Sequence, residues 1–276
     1  MIKTKINKPK GDEQISRMLE IRHSFTSNTK GIKKFISHLK PVVEEADKSD
    51  SDEVIKALQL AYKNAGIKFP TTKEEVENVT EEQKKAIYRN LKMSELKSPN
   101  QGYLLWKSNF VLLISAFEYL FADIISFYYK FYPNSVLDKT VEVDLSELKN
   151  CSTIEEYIDI VISNKIESLL YKSIDKQLEF IEKDIKLDLE RELVDWDIIK
   201  EATLRRHLIV HNDSRINKRY LKEANLTKVK YLSELKEGEG VIISPDYFDR
   251  VYQEVFLAGN LIIQNVSFPF FRTIQK

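Results

Sequence analysis

The stretch Tyr103–Tyr132, YLLWKSNFVLLISAFEYLFADIISFYYKFY, decides the fold. Eleven of the chain's aromatic residues, which number 14 Phe, 13 Tyr and 2 Trp in all, fall within these 30 positions. That density requires burial on more than one side. Leu113, Phe117, Leu120, Ile124 and Phe127 recur at helical spacing as one stripe, and Val111, Ile114, Phe121 and Ile125 form a second, so the segment reads as the central helix of a bundle. Lys107, Glu118 and Asp123 interrupt it before the roughly 18 uncharged apolar residues of a spanning helix, so it is expected to be buried in protein, with no membrane partner. Glu118 lies inside the apolar pattern. An isolated buried carboxylate is costly, so Glu118 either sits at an exposed seam or pairs with a cation from another helix.

Upstream of this helix, residues 1–102 are polar and rich in lysine. Pro41, the run Asp47–Asp52, Gly66 and Pro70 divide them, which predicts short helices between breakers. Thr80-Glu81-Glu82-Gln83 has the side chains of a capping box and predicts a helix from there to about Leu96. Ser98-Pro99-Asn100-Gln101-Gly102 reads as a linker. It divides the chain into an N-terminal helical region, 1–102, and a helical domain, 103–276.

Downstream, Ser152 or Thr153 starts a helix whose apolar face is Ile154, Tyr157, Ile158, Val161 and Ile162. Beyond Ser163-Asn164, the positions Leu170, Ile174, Leu178, Ile181, Ile185 and Leu189 predict one long amphipathic helix with a solvated charged face. A further helix carries Trp196, Ile199, Thr203, Arg206 and Val210 on one side and Leu204, Leu208 and His211 on a neighbouring one, and Asn212-Asp213-Ser214 ends it. Lys228–Leu232 and Gly240–Ile243 read as two strands of one short β-hairpin. Ser244-Pro245-Asp246 starts a last helix, bearing Tyr247, Val251, Val255, Ala258, Leu261 and Ile262 to about Val266, with Pro269 as its stop. With only 7 Gly and 7 Pro, the expected class is all-α.

Lys+Arg and Asp+Glu each number 43, so no global basic field points to a nucleic acid, and any such contact depends on local clustering. The one cysteine, Cys151, excludes an internal disulfide framework and a multi-cysteine zinc site; it has no histidine near it in sequence and is assigned no chemistry. Met1–Lys5 lacks the apolar core of a secretory signal. A reducing, cytoplasmic setting is expected.

The chemistry concentrates in Leu204-Arg205-Arg206-His207-Leu208-Ile209-Val210-His211-Asn212-Asp213, which holds two of the four histidines. Arg206 and His211 stand five apart, roughly 140° around an ideal helix. They converge either because the helix ends near Val210 and frees His211, or because a second copy packs across a two-fold axis. A histidine titrating near neutrality and guanidinium groups that bind phosphate are the components for cutting RNA without a metal. His207 and His211 also have the spacing of a metal pair, but no glutamate follows His207 and no third ligand is evident beyond Asp213, so no metal and no cofactor is expected. A histidine at a helix end also serves simply as a cation opposite the dipole. From Arg205 to Lys230 eight basic residues face only Asp213 and Glu223, with Tyr220 and Tyr231 interleaved. This segment is either an ordinary solvated surface or an RNA track, in which Arg205, Asn212, Arg215, Lys218, Arg219 and Tyr220 contact the polymer.

The pattern Arg206-His207-Leu208-Ile209-Val210-His211 resembles the signature of the HEPN (higher eukaryotes and prokaryotes nucleotide-binding) family, an arginine, four to six residues, then a histidine, often with a polar residue after the arginine. The resemblance covers about residues 104–266. It implies a HEPN-like helical bundle, preceded here by an N-terminal helical extension, that cuts RNA at a homodimer interface without a metal, as a toxin or antiviral effector. Arg206 then binds the scissile phosphate, His211 is the general acid or base, His207 orients the other groups or the substrate, and Glu118 holds Arg206. Some family members keep the fold without catalysis, which implies the alternative of an inactive RNA- or protein-binding module, with an antitoxin or another defence protein as partner.

Overall fold

The computed structural model describes residues 11–91, 99–132, 145–224 and 235–274, with the side chains at 145–147 and 268–274 excepted. The regular secondary structure of the described residues is helical, with no strand and one isolated β-bridge, Arg215 with Gly240. The helices are α1 (Gly11–Asn64), α2 (Lys73–Glu77), α3 (Glu81–Asn90), α4 (Gln101–Phe131), α5 (Leu145–Asn150), α6 (Ile154–Leu170), α7 (Ile174–Lys183), α8 (Trp196–His211), α9 (Lys218–Ala224) and α10 (Pro245–Ile274). The chain forms two compact units. One takes in residues 34–106, and the other the residues through Lys33 together with 107–276. The 98–102 linker reading therefore meets a different grouping, in which the first turns of α1 belong with the C-terminal helices.

α1 runs unbroken for 54 residues where short helices were expected. Pro41 lacks an N–H and costs about 3 kcal/mol in a helix interior. Burial offsets it: Met18, Ile21, Phe25, Ile36 and Ala61 are all buried along α1. The acidic run does not break the helix either, because Asp47 accepts from the backbone N–H groups of Gln101 at 2.8 Å and Gly102 at 2.7 Å. It caps α4 at the positive end of that helix's dipole. Within the 34–106 unit the Thr80 capping box is present and starts α3, which ends at Asn90; Leu91 is its C-cap, and residues 92–98 lie outside the described residues.

In the larger unit α4 is the core helix. Both predicted stripes are buried except for the half-buried Val111. By length and composition α4 could cross a membrane, and just over half of its most apolar window is covered by protein. α6 and α7 cover its C-terminal half, where Ile125, Tyr129 and Leu169 pack with Val161, Ile166 and Phe180. The first turns of α1 are fixed by Arg17 to Asp123 of α4 at 2.9 Å, and by Phe25 against α10. Gly259 makes that last contact possible, since a Cβ there would lie 2.2 Å from the Phe25 ring.

Three further expectations are corrected. The long helix from Leu170 to Leu189 is the end of α6, a break at Tyr171–Ser173, α7, and a loop in which Lys186 and Glu190 take positive φ. Buried Gln177 donates to the Leu170 and Lys172 carbonyls and so satisfies the break. Gly240–Ile243 is not a strand: Gly240 forms an isolated bridge with Arg215 in the segment after α8, and the Val241 N–H donates to Ser214 O at 2.7 Å. Lys228–Leu232 lies outside the described residues. Pro269 does not stop α10, which continues to Ile274.

Candidate functional site

α8 is capped at both ends. The Asp195 carboxylate accepts from the Ile198 N–H, and Asn212 closes the C-terminus by donating its N–H to Leu208 O at 2.9 Å. Asp213 and Ser214 then take positive φ and turn the chain away. These caps place the Arg206–His211 segment on the last turns of α8, beside a cleft of about 860 Å³.

The cleft lies within the larger unit, and four elements line it. From α4 come Ser115, Glu118, Tyr119 and Ala122, a third stripe of that helix. The α6–α7 turn and α7 add Tyr171, Lys172, Asp175 and Gln177. α8 contributes Lys200, Thr203, Arg206, His207 and His211, and α9 with its lead-in supplies Asn217, Arg219 and Glu223. Tyr119 and Tyr171 are 72% and 83% exposed at this rim.

Glu118 and Arg206 meet here, with carboxylate Oε2 and guanidinium Nη2 3.4 Å apart. Arg206 Nε is buried and finds no hydrogen-bond partner among the described residues. Burial raises the Glu118 carboxyl above its ordinary value, with Arg206 opposing. His207 and His211 are both exposed, and their ring centroids are 4.7 Å apart. Burial of part of its surface, then His211, Arg219 and Arg206, push the His207 imidazole below its ordinary value, with Glu223 opposing. Lys200 is engaged by Asp175 at 2.7 Å, and Arg219 by Glu223 at 2.8 Å.

The expected polymer contacts divide sharply. Arg219 lines the cleft. Arg205 does not reach solvent: it is buried, its Nε donates to Glu201 at 2.8 Å, its Nη1 donates to Ile242 O at 3.1 Å, and its guanidinium lies 4.1 Å over the Tyr247 ring. Tyr220 is also buried and donates its hydroxyl to Glu201, while its side chain contributes to the cleft lining. Arg205 is therefore a core residue, and the Tyr220 hydroxyl is committed to the core. Asn212 is occupied as a cap, donating its amide to Arg215 O. Arg215 and Lys218 are exposed but lie outside the cleft lining, with Arg215 beside Gly238 O at 3.4 Å. Lys228, Lys230 and Tyr231 lie outside the described residues.

Sequence reasoning missed Glu201, which is fully buried and accepts from Arg205, Tyr220 and Tyr247. Its i, i+4 spacing to Arg205 was the available signal. It also missed Tyr119, Tyr171 and Lys172, which reach the cleft from separate elements. No group of three His, Cys, Asp or Glu side chains converges among the described residues as a metal would require. Compared with known protein families, with curated proteins and with solved structures, the chain matches none of them.

Proposed function

We propose that this cleft cuts RNA without a metal, in the manner of a HEPN-like domain. The observation that carries the reading is that Arg206, His207, His211 and Glu118, which span 94 positions of the chain, line one cleft. The partly exposed Arg206 guanidinium supplies charge for a phosphate, and two histidines supply a proton acceptor and a proton donor. Glu118 orients Arg206 while leaving it free to bind. Tyr119 and Tyr171 offer exposed ring faces on which unpaired bases stack, which suits a single-stranded substrate.

In the reaction the RNA 2′-hydroxyl attacks the adjacent phosphorus and the 5′-oxygen leaves. The products carry a 2′,3′-cyclic phosphate and a 5′-hydroxyl. DNA, which lacks the nucleophile, is inert. The resemblance adds a homodimer and a role as a toxin or antiviral effector, with an antitoxin or defence protein as partner.

The test is pure protein with RNA and with matched DNA in EDTA, followed by end-group analysis. Cut RNA with cyclic phosphate ends and intact DNA are expected. Equal cutting of DNA, or cutting abolished by EDTA, sinks the mechanism. RNA held without turnover, with affinity falling steeply in salt, makes the cleft a binding module instead.

A further inference from the structure

His207 and His211 stand one turn apart on α8, about 6 Å along the axis by the helical rise. Their ring centroids are 4.7 Å apart, their planes are inclined by 43°, and both rings stand exposed on the wall of the cleft that holds Arg206. We infer that His207 and His211 of the same chain are the general base and general acid of the RNA cleavage, so that the proton-transfer pair is complete without a histidine from a second copy. The inference rests on the RNA-cutting reading above and departs from the expectation that His207 only orients other groups.

The step balances within this pair. Neutral His207 takes the 2′-hydroxyl proton as the 2′-oxygen forms its bond to phosphorus. The bond from phosphorus to the 5′-oxygen breaks, and that oxygen takes a proton from the His211 imidazolium. Arg206 faces the charge that develops on the phosphoryl oxygens. His207 ends protonated and His211 neutral, so the net charge of the pair is unchanged.

The surroundings assign the two roles. His207 faces His211 and Arg206 on α8 and Arg219 and Glu223 on α9; Glu118, Lys172, Asp175 and Lys200 complete the charged lining of the cleft. Positive charge predominates immediately around His207, which favours the neutral imidazole a base requires. His211 occupies the last turn of α8, where a cation interacts favourably with the helix dipole. Both rings are exposed, so truncating either leaves the core intact.

Mixed dimers, made by co-expressing two differently tagged chains and purifying through both tags, test the inference. A dimer of wild type with His211→Ala is expected to keep half of the wild-type activity, and a dimer of His207→Ala with His211→Ala to keep almost none. A nearly inactive first dimer overturns the inference, because it means that two copies of His211 share one site. A second dimer with about half activity overturns it too, because the pair then forms across chains. If no mixed dimer can be isolated, constant activity per chain on dilution is the expected result, and a fall on dilution overturns it. His207→Ala alone is expected to lose about 10²- to 10⁴-fold in kcat/KM, along with the acidic limb of the pH profile. Wild-type activity in that variant overturns the inference alone, whereas wild-type protein that leaves RNA intact overturns the function reading as well.

Discussion

Two adjacent arginines on α8 meet carboxylates in opposite settings. Arg205 is enclosed with Glu201, two tyrosine hydroxyls and the Ile242 carbonyl, while Arg206 reaches Glu118 across the wall of an open cleft and keeps a buried Nε without a partner among the described residues. Burial works against the charge of Arg205, but Tyr247, Glu201 and Tyr220 outweigh it and hold the guanidinium well above its ordinary range. A fully satisfied buried pair ties α8 to α9 and α10 and has no capacity left for a ligand. A partly exposed pair on a cleft wall keeps that capacity. The same residue type, one position apart, is therefore closed into the core in one case and left partly open to a cleft in the other.

Four measurements can break or sharpen this contrast. Glu201→Ala leaves the Arg205 charge buried and unpaired, and urea denaturation is expected to show a loss of about 3–5 kcal/mol. A loss below 1 kcal/mol would mean that the pair contributes little to holding the helices. Arg206→Ala is expected to lower RNA cutting by about 10²- to 10³-fold with the unfolding midpoint near wild type; a large fall in the midpoint instead would make Arg206 a structural residue like its neighbour. Tyr247→Phe removes one hydrogen bond to the buried Glu201 carboxylate, for an expected cost of about 1.5–3 kcal/mol with cutting retained by the folded protein.

The smallest effect concerns Glu118. Burial raises its native carboxyl above the ordinary value of 4.5, so the folded protein holds the ionised form less well than the unfolded chain does. Stability is therefore expected to fall as pH rises from 4.5 through the raised native value. Glu118→Gln should abolish that slope in thermal melts taken across the window, and an unchanged slope would assign it to another group.

Much of this contrast could not be read from the chain alone. The α4 stripes, the C-terminal end of α8 and the Ser244 cap of α10 were legible because periodicity and capping are local. The continuity of α1 was not, since burial along the helix outweighs Pro41, and burial is a tertiary quantity. The break between α6 and α7 was hidden because the apolar spacing runs straight across it, and the positive φ values fall on Lys186 and Glu190, where a glycine would have been the signal. In the site, Arg206, His207, His211 and Glu118 could be named from pattern and resemblance. The inward setting of Arg205 was hidden because a basic run shows charge but not which side chains face inward. Tyr119, Tyr171 and Lys172 carry no motif and become neighbours only when α4 and the α6–α7 turn face the same cleft.

The seat of Phe25 on Gly259 makes the value of one substitution depend on another. In a helix interior alanine is more favourable than glycine by about 1 kcal/mol, so an isolated α10 would gain from Gly259→Ala. In the folded chain the added methyl collides with the ring, and the same change is expected to destabilise. Replacing Phe25 with a small residue should reverse the sign. Measured as a double-mutant cycle, the pair should therefore show sign epistasis, with each position setting what the other can accept.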